Sequence, residues 1–183
     1  MSTIASIGSV VPGGLANTAR AHIPRIAEQL RHPAFGAGAL ASLRRSDPSS
    51  VLHQPAFYRL VSPIGELALA GEGALRWATV VHAMAISARP GTRSPPSRRA
   101  GATLARLGYR ESRFARLLAA RGEALRTEVV LLARFVNAHR EPLAWAQLGE
   151  LVLTEGRRER RAEQLRHALA RDYHGATNHS RDP

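Results

Sequence analysis

The sequence predicts an all-α fold, a single compact helical bundle of about eight or nine helices. Three observations predict it. Apolar residues recur at helical spacing, Leu125, Val129, Leu132 and Val136 in one stretch and Trp145, Leu148 and Val152 in the next. No run of alternating apolar and polar residues marks a strand, and no internal repeat is present. At 183 residues the chain suits one domain with room for a core.

Each element follows in order. Residues 1–19 read as an N-terminal extension, poorly ordered or peripheral, because Pro12, Gly13 and Gly14 interrupt its only apolar stretch. The helical domain spans 20–173. Its first helix covers about residues 20–31, with Pro24 tolerable in the first turn. A second covers about 34–45, weakened by Gly36 and Gly38. SDPSS then favours a turn, since Ser and Asp bond their own backbone and Pro fixes φ. Pro55 is an N1 proline for a short helix over 55–61, which Pro63 and Gly65 end. A largely apolar helix covers about 72–88 through Trp77, Val80, Val81, Met84 and Ala85. Residues 89–101, RPGTRSPPSRRAG, read as a mobile loop, because three prolines and two glycines deny it regular structure. Helices resume at about 102–107, 111–121, 123–139, 142–154 and 157–173. Residues 174–183 form a polar tail.

Charge points to a polyanionic partner. There are 26 basic residues against 14 acidic ones, a formal net charge of +12, and every basic residue is arginine. Guanidinium groups fork onto phosphate oxygens and stack on bases, and such charge makes binding salt-sensitive. An acidic protein surface or an anionic lipid is the competing partner. There is no cysteine, which excludes a disulfide frame and a thiolate metal site. No basic n-region opens the chain, and no apolar run approaches the length of a membrane span. The expectation is a cytoplasmic protein with no membrane partner.

Catalysis finds little support. Asp occurs at Asp47, Asp172 and Asp182 only, none of them paired with another acidic residue at ligand spacing. A metal-dependent nuclease needs several converging carboxylates. The eight histidines show no HExxH spacing, GEG at 71–73 lacks a phosphate-loop context, and no GxSxG elbow occurs. No enzyme activity, metal or cofactor is expected.

Candidate binding residues come from helix faces. In the last helix Arg157, Arg160, Arg161, Gln164 and Arg171 fall on one side, while Ala162, Leu165, Leu169 and Tyr173 fall on another. Glu159 and Glu163 lie off the arginine side, which leaves that side short of partners within the helix. In the central segment Arg110, Arg113 and Arg121 cluster opposite Phe114, Leu117 and Leu118. The loop arginines Arg93, Arg98 and Arg99 either reach a strand electrostatically or belong to a disordered connector, and the connector is the preferred reading. Most aromatics read as core. Tyr58 and Tyr109 alone sit among arginines, as a stacking ring for a base would.

Residues 43–65, LRRSDPSSVLHQPAFYRLVSPIG, are the most informative stretch. An arginine pair, a polar turn and a PAFYRL helix closed by Pro and Gly resemble the CasB small subunit of the type I-E CRISPR effector complex, Cascade. The resemblance covers roughly residues 34–173. WATVVHAMAIS, the GATLARLGYRESRFARLL segment with its E-S-R turn, the P-x-x-W of EPLAWAQL and the GRRERRAEQL opening of the last helix follow in the same order. Residues 1–19 and the loop near residue 95 depart from it. The resemblance implies a non-catalytic nucleic-acid-binding subunit. It would pair head-to-tail with a second copy of itself, beside the CasC backbone that carries the CRISPR RNA and near the large subunit CasA. It would line the path of the guide–target heteroduplex and hold the displaced strand of the target DNA. The residues carried over are Arg44, Arg45, Arg59, Arg113, Arg116, Arg121, Arg157, Arg158 and Arg160.

Two other classes compete. TLARLGYRESRFARLL has the layout of a helix-turn-helix unit, with Gly108 at the turn and arginines near the start of the second helix, as in a DNA-binding transcription regulator. A basic subunit whose arginines meet only acidic partner surfaces is the third. Duplex sequence selectivity marks the regulator, whereas sequence-tolerant single-strand binding marks the Cascade subunit.

Overall fold

Proline and glycine set the helix boundaries. The computed structural model describes residues 14–92 and 99–179, and among these it contains ten α-helices and no strand. The expectations for residues 1–13, for Arg93 and Arg98, and for the last four residues lie outside them. Helix α1 runs from Gly14 to Arg31, so Pro24 falls in its interior rather than its first turn. Pro24 is exposed, so the bond it cannot donate is missing from the solvent side. The second expected helix divides. Pro33–Phe35 form a 3₁₀ turn, Gly36 takes φ 92°, and α2 spans Ala37–Arg45. A positive φ suits glycine, so the break falls where the sequence looked weakest.

The SDPSS turn proves to be a short helix. In α3, Pro48–Val51, Asp47 caps the start by accepting from the amides of Ser49 and Ser50 at 2.9 and 3.0 Å. The hydroxyls of Ser49 and Ser50, and after them the Ser50 amide, hold the Asp47 carboxyl far below its ordinary range. Helix α4 is Pro55–Val61, as its N1 proline dictates. Two 3₁₀ turns, Ser62–Ile64 and Glu66–Leu69, lead to α5, Glu72–Ser87.

Helix α5 is the axis of the molecule. Every residue from Arg76 to Ser87 is buried. A helix apolar on all sides must be surrounded, and α1, α2, α3, α4, α8 (Gly122–Ala138) and α9 (Ala146–Thr154) pack around it. Thr79, Ser87 and His82 find polar partners inside the protein. Thr79 donates to the Leu75 carbonyl at 2.8 Å, Trp145 Nε1 donates to Ser87 Oγ at 3.0 Å, and His82 Nδ1 lies 2.8 Å from the Leu43 carbonyl.

A second layer forms on α10, Glu159–His179, against which α6 (Ala100–Arg106) and α9 pack. Helix α10 continues past residue 173, where the sequence suggested its end. No proline stops it, and Thr177 donates to the His174 carbonyl at 2.9 Å. Helix α7, Glu111–Ala119, lies on α8, and Phe114 stacks on Tyr173 with centroids 4.1 Å apart.

Two predictions follow from this packing. A Cβ on Gly101 would overlap the Leu169 carbonyl oxygen and stand 2.8 Å from the Tyr173 amide nitrogen. Both are helix backbone, which cannot give way. Gly101→Ala is expected to lower stability by about 1–3 kcal/mol, read as a fall in the denaturant midpoint at unchanged m-value. His82 is buried, and desolvation, opposed by its bond to Leu43, lowers its pKa; Arg134 adds to the lowering and Asp47 opposes it. Because the folded pKa is depressed, the unfolded chain takes the proton first. Stability is therefore full above about pH 6.5 and falls below it, by at most roughly 1.4 kcal/mol per pH unit until the folded state also protonates. His82→Gln, whose amide can still donate to Leu43, is expected to remove that part of the slope.

Candidate nucleic-acid interface

Ion pairs and helix ends divide the arginines into two sets. The first is bonded to the protein's own carboxylates and helix-end carbonyls. Arg76 is buried and donates to the carbonyls of Val152, at 3.1 Å, and Glu155, closing the C-terminus of α9. Its guanidinium also meets the Glu72 carboxylate at 3.3 Å and that of Glu155 at 3.8 Å. Arg166, equally buried, pairs with Glu159 and Glu163 at 3.0 and 2.8 Å. Arg89 donates to the Asn137 carbonyl at 3.1 Å, at the end of α8.

Several residues singled out in the sequence belong to this bonded set, although Arg44, Arg116 and Arg121 lie at the surface. Arg44 caps α5, its Nε donating to Ala85 O at 2.8 Å and its Nη2 to Ala88 O. Partial burial and the nearby Arg89 charge lower its pKa. Arg121 closes α7 by donating to the carbonyls of Leu118, Ala119 and Ala120 at 2.9–3.1 Å, and it reaches Glu163 on α10 at 2.9 Å. Arg116 binds Glu128 at 2.7 Å. Arg161 grips Glu150 with two bonds of 2.7 and 2.9 Å, and that bonding raises its pKa. Glu150 lies on α9, so reasoning along the last helix alone could not see this partner.

The second set faces solvent. Arg45, Arg110, Arg113, Arg157 and Arg160 are exposed and make no ion pair among the described residues. Arg157 and Arg158 lie in the α9–α10 turn, before the first residue of α10. Arg158 is half-buried beside Trp77 and Leu153. Arg171 is 73% exposed, its Nε 4.0 Å from Asp172, while Asp172 is taken up by Arg99 at 2.8 Å. Arg160, Gln164, His167 and Arg171 form an exposed stripe along α10, at spacings of four, three and four. Arg59 lies over the Phe35 ring, 5.2 Å from its centroid. Arg25 and Arg140 are also exposed without an ion pair among the described residues, and sequence reasoning missed them because neither lies in a basic run.

The two candidate stacking rings part company. Tyr109 is 3% exposed, edge-on to Phe135, and burial raises its hydroxyl pKa. It cannot meet a base. Tyr58 is 54% exposed.

Among the described residues no group of three His, Asp or Glu side chains is placed to hold a metal ion, and no helix is long and apolar enough to cross a membrane. A family model, that of the CRISPR-associated protein Cse2, matches residues 39–174, about three quarters of the chain. No curated protein matches the chain, and no solved structure does.

The two sets predict effects on stability of different size. Arg161→Ala takes a two-pronged cation from a carboxylate that is 3% exposed and is expected to cost about 2–4 kcal/mol. Arg160→Ala, one residue away, is expected to stay within about 0.5 kcal/mol of the parent. Chemical denaturation of the two variants side by side checks this.

Proposed function

The chain belongs to the CRISPR-associated protein Cse2 family and is a component of a CRISPR Cascade complex, and from that premise we propose that it is a non-catalytic subunit that binds nucleic acid. It lines the guide–target path and holds the displaced DNA strand. The observation that supports this reading is the outer arginine set. Carboxylates claim one group of arginines and leave Arg45, Arg110, Arg113, Arg157 and Arg160 exposed without an ion pair among the described residues. Unpaired guanidinium groups on a chain of net charge +12 favour a polyanion.

The mechanism needs no base reading. Heteroduplex and duplex are close in stability, so phosphate contacts to the opened strands tip the exchange. Arg160 and Arg171 stand about 16 Å apart along α10 at its ordinary rise, far enough to meet separate phosphates. Arg44, Arg116, Arg121 and Arg161 act indirectly, by fixing the helices that carry the outer set. The partners proposed are the CRISPR RNA and target DNA, the CasC and CasA subunits, and a second copy of the chain.

The isolated protein is expected to bind single strands with little sequence preference and a steep salt dependence. Changing Arg45, Arg113 and Arg160 together to Ala should lower the salt slope by roughly one for each phosphate no longer bound, with the fold kept. In a reconstituted complex, omitting the subunit should leave guide loading intact and reduce permanganate reactivity of thymines in the displaced strand. Equal reactivity with and without the subunit refutes the proposed role. Binding that ignores salt points instead to arginines that meet only protein.

A further inference from the structure

The junction of α1, the Pro33–Phe35 turn and α4 holds a concave site that the outer arginine set does not explain. Gln29, His32, Ala34, Phe35, Arg59 and Leu60 line it. The Arg59 guanidinium lies over the Phe35 ring at 5.2 Å, a cation layered on an aromatic face. His32 is exposed, and its Nδ1 accepts from the Ala34 amide at 3.2 Å. The neutral ring therefore carries its proton on Nε2, a donor available at the site. Gln29 adds an amide that both donates and accepts.

We infer that this site takes one unpaired nucleobase of a single strand. The inference rests on the nucleic-acid reading above and deepens it. Planar guanidinium and aromatic groups are the surfaces on which unstacked bases rest. The polar lining discriminates between ligand classes. A carboxylate or phosphate only accepts hydrogen bonds and has no use for the Gln29 carbonyl. A base edge presents donors and acceptors together.

The surroundings suit a strand rather than a free base. Arg25 sits four residues before Gln29, so the two share a face of α1, and Arg25 is exposed; His32 follows just past the end of that helix. It is placed for a phosphate next to the seated base. The acidic neighbour Glu28 points about 100° away from Gln29 around the helix, and its charge acts on Arg31. Tyr58, 54% exposed, precedes Arg59 and offers a ring to a neighbouring base.

The test compares a labelled oligothymidine with an abasic deoxyribose-phosphate strand of equal length, binding to the full chain at fixed salt. The wild type should prefer the thymidine strand by at least about fivefold, the lower end of what one stacked base contributes. Phe35→Leu and Arg59→Lys should bring thymidine binding down to the abasic level while the salt slope changes by less than about one. If Phe35→Leu does not fold, photocross-linking of a 5-iodo-deoxyuridine strand to the unaltered chain decides, with adducts expected on Phe35 or Tyr58. Equal affinity for the two strands overturns the base site and leaves phosphate binding standing. Failure of either strand to bind in a salt-dependent way overturns both the site and the function it rests on. Intact thymidine preference in Phe35→Leu, with loss of incorporation into the assembled complex, overturns the site in favour of a protein contact there.

Discussion

Arg76 is the interaction on which the rest of the structure depends. It stands on the central helix with its side chain 6% exposed, and it joins three elements. Its guanidinium closes the C-terminus of α9 through the Val152 and Glu155 carbonyls. The Glu155 carboxylate beside it accepts the amide of Gly122 at 3.1 Å, at the first residue of α8. One cation thus secures the end of one helix, and through one carboxylate the start of another. A buried guanidinium is costly unless most of its bonds are met, so the end of α9 and the start of α8 converge at this point, and only its Nε is left without a partner. Their convergence positions α8 for α7 and α9 for α10.

The same chemistry recurs at other helix ends. Arg44 serves α5, Arg89 serves α8, and Arg121 with Arg166 serves α7. The last carbonyls of a helix lack intrahelical partners and carry partial negative charge. A planar fork of five donors reaches two or three of them at once, which an ammonium group does less well. In a chain without lysine this duty falls wholly to arginine. It occupies Arg44, Arg76, Arg89, Arg121 and Arg166 before any ligand is considered.

That division explains what the sequence could and could not disclose. The helical class was legible because Leu125, Val129, Leu132 and Val136 keep one face, and all four are buried. The Pro55 start of α4 was legible because a fixed φ acts locally. The α3 helix was not, since Ser, Asp and Pro suit a turn and an N-capped helix start equally well. The site was legible only in part. A single-helix projection paired Arg161 with Arg160, although the two differ in what the neighbouring helix brings to them. Glu150 is eleven positions from Arg161 and on another element, so no periodicity rule reaches it. Tyr109 failed for the same reason: its sequence neighbours are arginines, but its spatial neighbours are Phe135 and Tyr173.

The consequence reaches past this chain. Net charge counts every arginine once, yet the structure assigns each to one of two tasks with different physics. A guanidinium that caps a helix or pairs with a buried carboxylate has already exchanged its water for protein, and a phosphate would have to displace those bonds to use it. A guanidinium with only water around it loses little on meeting a phosphate and gains by releasing counterions. The surface potential that steers a polyanion sums both kinds, because screening over a Debye length of about 8 Å is too gradual to separate a paired arginine from its free neighbour. Contact energy does not sum them. Long-range attraction therefore follows the composition, while the footprint of a bound strand follows the smaller outer set, from Arg45 and Arg113 to the Arg160–Arg171 stripe.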